Sequence, residues 1–300
     1  MRRLLTGCLA TALLLLNTLV FIGPLLVFAL IKLAVRGRHR ERASAAVVWA
    51  AEAWSEVDKL IFKVCTRTQW DIRGARDLRQ STSYLVVSNH QSWIDIAALI
   101  QALNGRAPFF KFFLKKELIW VPFLGLAWWA LDYPFMKRYS KAFLDKHPHL
   151  KGQDLEITRA ACALYKYQPV TIVNYLEGTR FTPAKREQQA SPFRYLLKPK
   201  AGGVAFVLAA MGPQLDRLLD VTVVYPGERI PGFWNLLCGD VEKVIVDIRS
   251  RNIDPGLSEG DYENDAAFRL KVQNWVNQLW TEKDQVIGAL RAEIQPLINH

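Results

Sequence analysis

The reading turns on Tyr84-Leu85-Val86-Val87-Ser88, then Asn89-His90-Gln91-Ser92-Trp93-Ile94-Asp95, then Ile96-Ala97-Ala98-Leu99-Ile100-Gln101-Ala102-Leu103. An apolar run of strand length is followed by a short polar turn and then by a helical pattern. His90 therefore stands where a buried strand gives way to a helix. In an open α/β sheet the carboxyl ends of the strands are where ligands collect.

On one regular helix, residues five apart are rotated by about 140°, so His90 and Asp95 would point apart. They meet only if His90 precedes the helix and Asp95 lies in its first turn. Ser92 as N-cap, with Asp95 three residues on, predicts that arrangement. Asp95 then accepts from one ring nitrogen of His90, which fixes the tautomer and frees the other as a general base. A helix-capping acid and a satisfied turn histidine would give the same seven residues, so the rest of the chain must decide.

Three hundred residues carry 39 basic and 28 acidic side chains, a net charge of +11 that favours anionic partners. Apolar residues make up 51%, enough for a core and a membrane segment. Cys8, Cys65, Cys162 and Cys238 form no CxxC pair, which argues against a zinc site or disulfide framework and fits a reducing compartment. His147-Pro148-His149 is the one close histidine pair, and Pro148 with the neighbouring Lys146 and Lys151 reads as a loop rather than a metal site.

Residues 4–31 carry no charge, and with residues 33–35 the apolar stretch reaches about 32 residues. As one straight helix it would measure roughly 48 Å, against a hydrocarbon core of about 30 Å. Gly23-Pro24 lies inside it and predicts a kink or break. A signal peptide has a shorter apolar region with a small-residue cleavage site, whereas this run ends in Arg36-Gly37-Arg38-His39-Arg40-Glu41-Arg42. Residues 1–42 thus read as a retained membrane anchor, a broken helix or hairpin with a basic flank. Residues 43–300 read as a domain on the cytoplasmic side.

Residues 43–65 show helical spacing, with Val47, Ala50, Trp54 and Ile61 on one face. Residues 70–78 read as an edge strand and turn, and residues 107–113 as a strand. Residues 155–167 read as a helix, and residues 170–176 as a strand running straight into Glu177-Gly178-Thr179-Arg180. There the glycine permits close backbone approach, and the threonine and arginine offer donors suited to a phosphate. After a helix over residues 204–211 come strands at 220–226 and 241–248, then a helix from 262 to about 290. This alternation predicts a single mixed, largely parallel sheet flanked by helices, behind an N-terminal membrane-embedded helical segment. No GxxxxGK[ST], GxGxxG or GxSxG stretch is present, so nucleotide-loop and serine-hydrolase readings lack support.

His90-Gln91-Ser92-Trp93-Ile94-Asp95 resembles the His-x-x-x-x-Asp block of the glycerolipid and lysophospholipid acyltransferases, which include the 1-acylglycerol-3-phosphate acyltransferases. Phe135-Met136-Lys137-Arg138 resembles that family's second block, Glu177–Arg180 the third, and Val221-Thr222-Val223-Val224-Tyr225-Pro226 the fourth. Lys115-Lys116-Glu117-Leu118 and Pro122–Gly125 match the stretch between the first two. Leu176 stands where the family usually has proline, and Lys137 where an acid is common, a mixture similar to a bacterial YihG-type subgroup.

The resemblance implies catalysis by His90 and Asp95. It implies phosphate binding by Arg138 and by Glu177, Gly178, Thr179 and Arg180, and an acyl-donor side lined by Val224, Tyr225 and Pro226. It implies no metal and no bound cofactor, the co-substrate being acyl-CoA or acyl carrier protein and the acceptor a lysophospholipid such as lysophosphatidic acid. The expected setting is the bacterial inner membrane, with membrane lipid as a partner. The alternative is a non-enzymatic peripheral membrane protein that binds anionic lipid. Nucleic acid is not expected as a partner, because the basic cluster abuts an apolar segment.

Overall fold

The computed structural model describes residues 1–136, 153–165, 168–227 and 229–298. The elements in chain order are α1 (Arg2–Ala34), α2 (Arg38–Cys65), β1 (Gln69–Gly74), β2 (Ser83–Ser88), α3 (Ile94–Leu103), β3 (Phe110–Phe112), β4 (Leu114–Lys115), α4 (Leu124–Ala130) and β5 (Phe135–Met136). They continue with α5 (Gln153–Leu164), β6 (Thr171–Tyr175), α6 (Pro183–Gln188), α7 (Gly202–Met211), β7 (Leu215–Val224), α8 (Phe233–Leu237), β8 (Lys243–Arg251) and α9 (Ala266–Ile298).

While β4 pairs separately with β5, six of these strands form a sheet in the order β1-β8-β7-β2-β6-β3. Its neighbours are parallel except for the antiparallel pair β7 and β8. The central strands carry apolar side chains on both faces, as a sheet covered on both sides requires. In β2, Leu85 and Val87 join the core beneath α7 and α9, while Tyr84 and Val86 join the core against α3. Lys283 on α9 is fully buried under the sheet, where it pairs with Asp220 and donates to the Val221 carbonyl at 2.6 Å. Its buried charge has a carboxylate partner, which is the condition for burying it at all.

One expectation about the amino-terminal part needs correction. The break at Gly23–Pro24 does not occur, because α1 runs as one helix from Arg2 to Ala34 with Pro24 inside it. The missing proline donor costs one helical bond, while apolar residues on both sides keep the helix going and α2 packs back along it. Leu25 and Ala29, just past the proline, are buried with Val47, Ala50 and Ala130. Of the basic stretch, Arg38–Arg42 form the first residues of α2, and Arg36 and Gly37 lie between the two helices.

Polar contacts hold α1 against the rest of the molecule along its length. Arg3 meets Asp240 at 2.6 Å, Asn17 donates to Asp58 at 2.8 Å, and Lys32 pairs with Asp132. Gly7 lies so close to α8 that a Cβ there would fall 2.7 Å from Cys238 Sγ and 2.9 Å from the Trp234 ring. The opposite face leaves Leu4, Leu5, Leu9, Leu15, Leu16 and Leu19 exposed. Among the described residues, α1 is the one helix long and apolar enough to cross a membrane.

Candidate active site

β2, β6 and β7 are neighbours and mutually parallel, so their carboxyl ends meet at one edge of the sheet. His90 follows β2, Glu177 follows β6 and Tyr225 follows β7, which brings three distant stretches within hydrogen-bond reach. Asn89 ties the first to the third. Its side chain donates to the Val223 carbonyl and accepts from the Val223 N–H, each at 2.9 Å.

His90 Nδ1 lies 2.7 Å from Asp95 Oδ2. The same oxygen accepts from the backbone N–H of Gln91 at 2.7 Å and of Ser92 at 2.9 Å. Asp95 Oδ1 accepts from the Tyr225 hydroxyl. Asp95 is wholly buried, and these donors replace the water it has lost. The His90 side chain is 17% exposed. With Nδ1 committed to Asp95, Nε2 is the nitrogen left to meet a ligand. The Tyr175 ring stacks on the imidazole at 4.1 Å between centroids and 19° between planes.

The helix start differs in detail from the expected capping. Trp93, not Ser92, is the N-cap of α3. Ser92 Oγ instead donates to the Pro231 carbonyl at 2.7 Å and accepts from the Ile94 N–H at 3.3 Å. Asp95 still reaches back over the turn, as the acid of a capping box does.

Glu177 does not face a phosphate. Its carboxyl is buried and accepts from the His90 N–H and from the Leu197 N–H, both at 2.9 Å. Both oxygens are occupied, so the side chain braces the His90 loop against the loop before α7. Burial pushes this carboxyl up to about 8, opposed by the two backbone bonds. The rest of the turn is less buried, and Arg180 is exposed. Gly178 takes a left-handed φ of 66°, which suits glycine. The exposed Arg180 guanidinium lies 5.0 Å from the centroid of Trp93, and Phe181 N–H donates to the His90 carbonyl at 2.7 Å. The arginine is thus held beside the histidine loop.

The fourth block is also placed differently. Val224 packs in the core and Tyr225 is 1% exposed with its hydroxyl on Asp95, so neither lines an open acyl-donor side. Pro226 is half-buried. Arg138, His147 and His149 lie outside the described residues. Among the described residues no group of three or more His, Cys, Asp or Glu is placed to hold a metal.

Several contributors escaped the sequence reading. Lys185 donates to Thr179 Oγ1 at 2.7 Å and to the Arg180 carbonyl at 3.0 Å. The Lys200 amine sits 3.6 Å from where a Gly178 Cβ would be. Both lysines add positive charge around the turn. Tyr175 had a signal, since two-residue alternation places it on the same face of β6 as Val173, toward α3. The lysines had none, because they approach from α6 and a loop beyond the motif.

The sequence profile of the acyltransferase family matches residues 69–226. Over 260 residues the chain is 25% identical to a yeast (Saccharomyces cerevisiae) 2-acyl-1-lysophosphatidylinositol acyltransferase, covering 72% of this chain and 64% of that protein. Over 182 residues it is 27% identical to mouse 1-acyl-sn-glycerol-3-phosphate acyltransferase gamma, covering 58% and 44%. Over 110 residues it is 32% identical to the human alpha enzyme, covering 37% and 34%. The chain thus spans less than two thirds of each of these relatives. The crystal structure of the 1-acyl-sn-glycerophosphate (LPA) acyltransferase from Thermotoga maritima has the same fold, with a TM-score of 0.53 at 21% identity over 93% of this chain and 98% of that one. The profile covers more than half of the chain and contains the whole strand-end constellation around His90, so the chain belongs to the acyltransferase family.

Proposed function

We propose that the protein is an O-acyltransferase that moves a fatty acyl group from a thioester donor, acyl-CoA or acyl carrier protein, to the free hydroxyl of a lysophospholipid such as lysophosphatidic acid. The observation that carries this reading is the 2.7 Å contact of His90 Nδ1 with buried Asp95, beside an exposed arginine. His90 Nε2 takes the proton of the acceptor hydroxyl, and the oxygen attacks the thioester carbonyl. Asp95 faces the imidazolium that forms, and the leaving thiolate takes the proton back from Nε2. Arg180, with Lys185 and Lys200 near it and Arg138 from the second block, holds the acceptor phosphate. A guanidinium suits that task because its paired donors match phosphate oxygens.

The long apolar face of α1 supports a seat in the membrane. Both ends of α1 bind the same globular body, through Arg3–Asp240 and Lys32–Asp132, which favours a helix lying along the inner leaflet over a span leading away from it. The proposed location is the cytoplasmic face of a bacterial inner membrane, where the acceptor's tail stays in lipid while its head group reaches His90. The test is acyl transfer by the full chain in lipid vesicles, with labelled acyl-CoA or acyl carrier protein and a panel of lysophospholipids. Transfer to lysophosphatidic acid or a related acceptor is expected. Vesicle binding without transfer, across both donors and all acceptors, would leave the protein a peripheral lipid binder.

A further inference from the structure

We propose that Tyr225 is a positioning residue for the His90–Asp95 pair, acting through Asp95 rather than through the acyl donor; this rests on the acyltransferase reading above. The Tyr225 hydroxyl is the side-chain donor on Asp95 Oδ1, whereas His90 and two backbone N–H groups share Oδ2. The two oxygens are therefore held by two parts of the chain, the loop after β2 and the end of β7. The Asn89–Val223 bonds fix the distance between those parts. Without the tyrosine donor, Asp95 would have a buried oxygen with nothing to accept, and the carboxylate could rotate away from Nδ1.

Other ionisable groups facing the pair are Tyr175 from β6, stacked on the imidazole, and Glu177 on the His90 backbone. Arg180 approaches over Trp93, and Lys283 lies beneath the sheet on the Val221 carbonyl. None of these four is recorded as donating to the Asp95 carboxylate, whereas Tyr225 does. Burial and the adjacent Asp95 charge hold its phenol well above the ordinary tyrosine value, so it stays a donor across the working pH range. Its hydrogen bond draws charge from the carboxylate.

The experiment is Tyr225→Phe, which keeps the buried ring, tested alone and in the Asp95→Asn background. Alone, kcat should fall about tenfold, with the KM of donor and acceptor within about twofold of wild type. In the Asp95→Asn background the same change should cost little further, because the group it acts on is gone. An equal loss in both backgrounds overturns the proposal. The downfield proton resonance of His90 Nδ1, assigned with His90→Ala, provides a readout independent of turnover. It should shift in Tyr225→Phe, and an unmoved resonance overturns the proposal even if the protein transfers no acyl group. A shifted resonance in a protein without transferase activity would uphold Tyr225 while refuting the functional reading.

Discussion

Two backbone N–H groups favour the ionised form of Glu177, and burial opposes it more strongly, leaving the carboxyl at about 8 against 4.5 for a free side chain. Between those values the folded chain holds a proton that the unfolded chain has lost. The group's contribution to stability is therefore full below about 4.5 and is lost as pH rises toward about 8. Glu177→Gln removes this titration and should flatten the dependence of the unfolding midpoint on pH between 5 and 8, which denaturant titrations would measure. An amide also turns a donor toward one of the two N–H groups, so the variant should lose about 1–3 kcal/mol near pH 5. Unchanged stability and an unchanged slope would contradict the bracing role. The identity of Glu177 suggested a site residue, but its partners could not be read from the motif. One is the backbone of Leu197, reached only after the chain has turned around α6.

At the scale of elements, strand and helix types were legible because their periods were clear. β2, β6 and β7 each carry a compact apolar run that ends in a polar turn, and their parallel pairing puts those turns on one edge. The local preference of Pro24 for a break is overridden by packing against α2, which lies outside its own stretch of sequence. Residues buried on both helices, such as Ala29 and Val47, offset the lost bond. The same packing yields a prediction at the other end of α1. Gly7→Val would force a side chain into Cys238 and Trp234, and overpacking of this kind costs about 1–3 kcal/mol. A lower unfolding midpoint and faster proteolytic cutting within α1 are expected; wild-type values for both would show that α1 does not dock on α8. On the opposite side of the sheet, Lys283→Ala leaves Asp220 buried with only the 3.1 Å contact to Arg251. Loss of one partner of a buried pair costs about 3–5 kcal/mol, measurable by urea unfolding, and a loss below about 1 kcal/mol would contradict the pairing.

At the scale of the whole molecule, the long apolar helix α1, the sheet edge and the candidate site form one connected body. Arg3 meets Asp240 just before β8, and Ser92 meets Pro231 just before α8. This connection predicts that the amino terminus lies on the same side of the membrane as His90. A cysteine at residue 2, with Cys8 replaced, should resist an impermeant thiol reagent in intact cells and react after lysis; reaction in intact cells would mean that α1 spans the bilayer. The direct test of the chemistry is acyl transfer to lysophosphatidic acid by wild type and by His90→Ala in the same vesicles, with folding checked by unfolding midpoint. The account predicts that the folded variant loses at least about 10²-fold in rate while its acceptor KM changes little. Near-normal turnover by folded His90→Ala would contradict it.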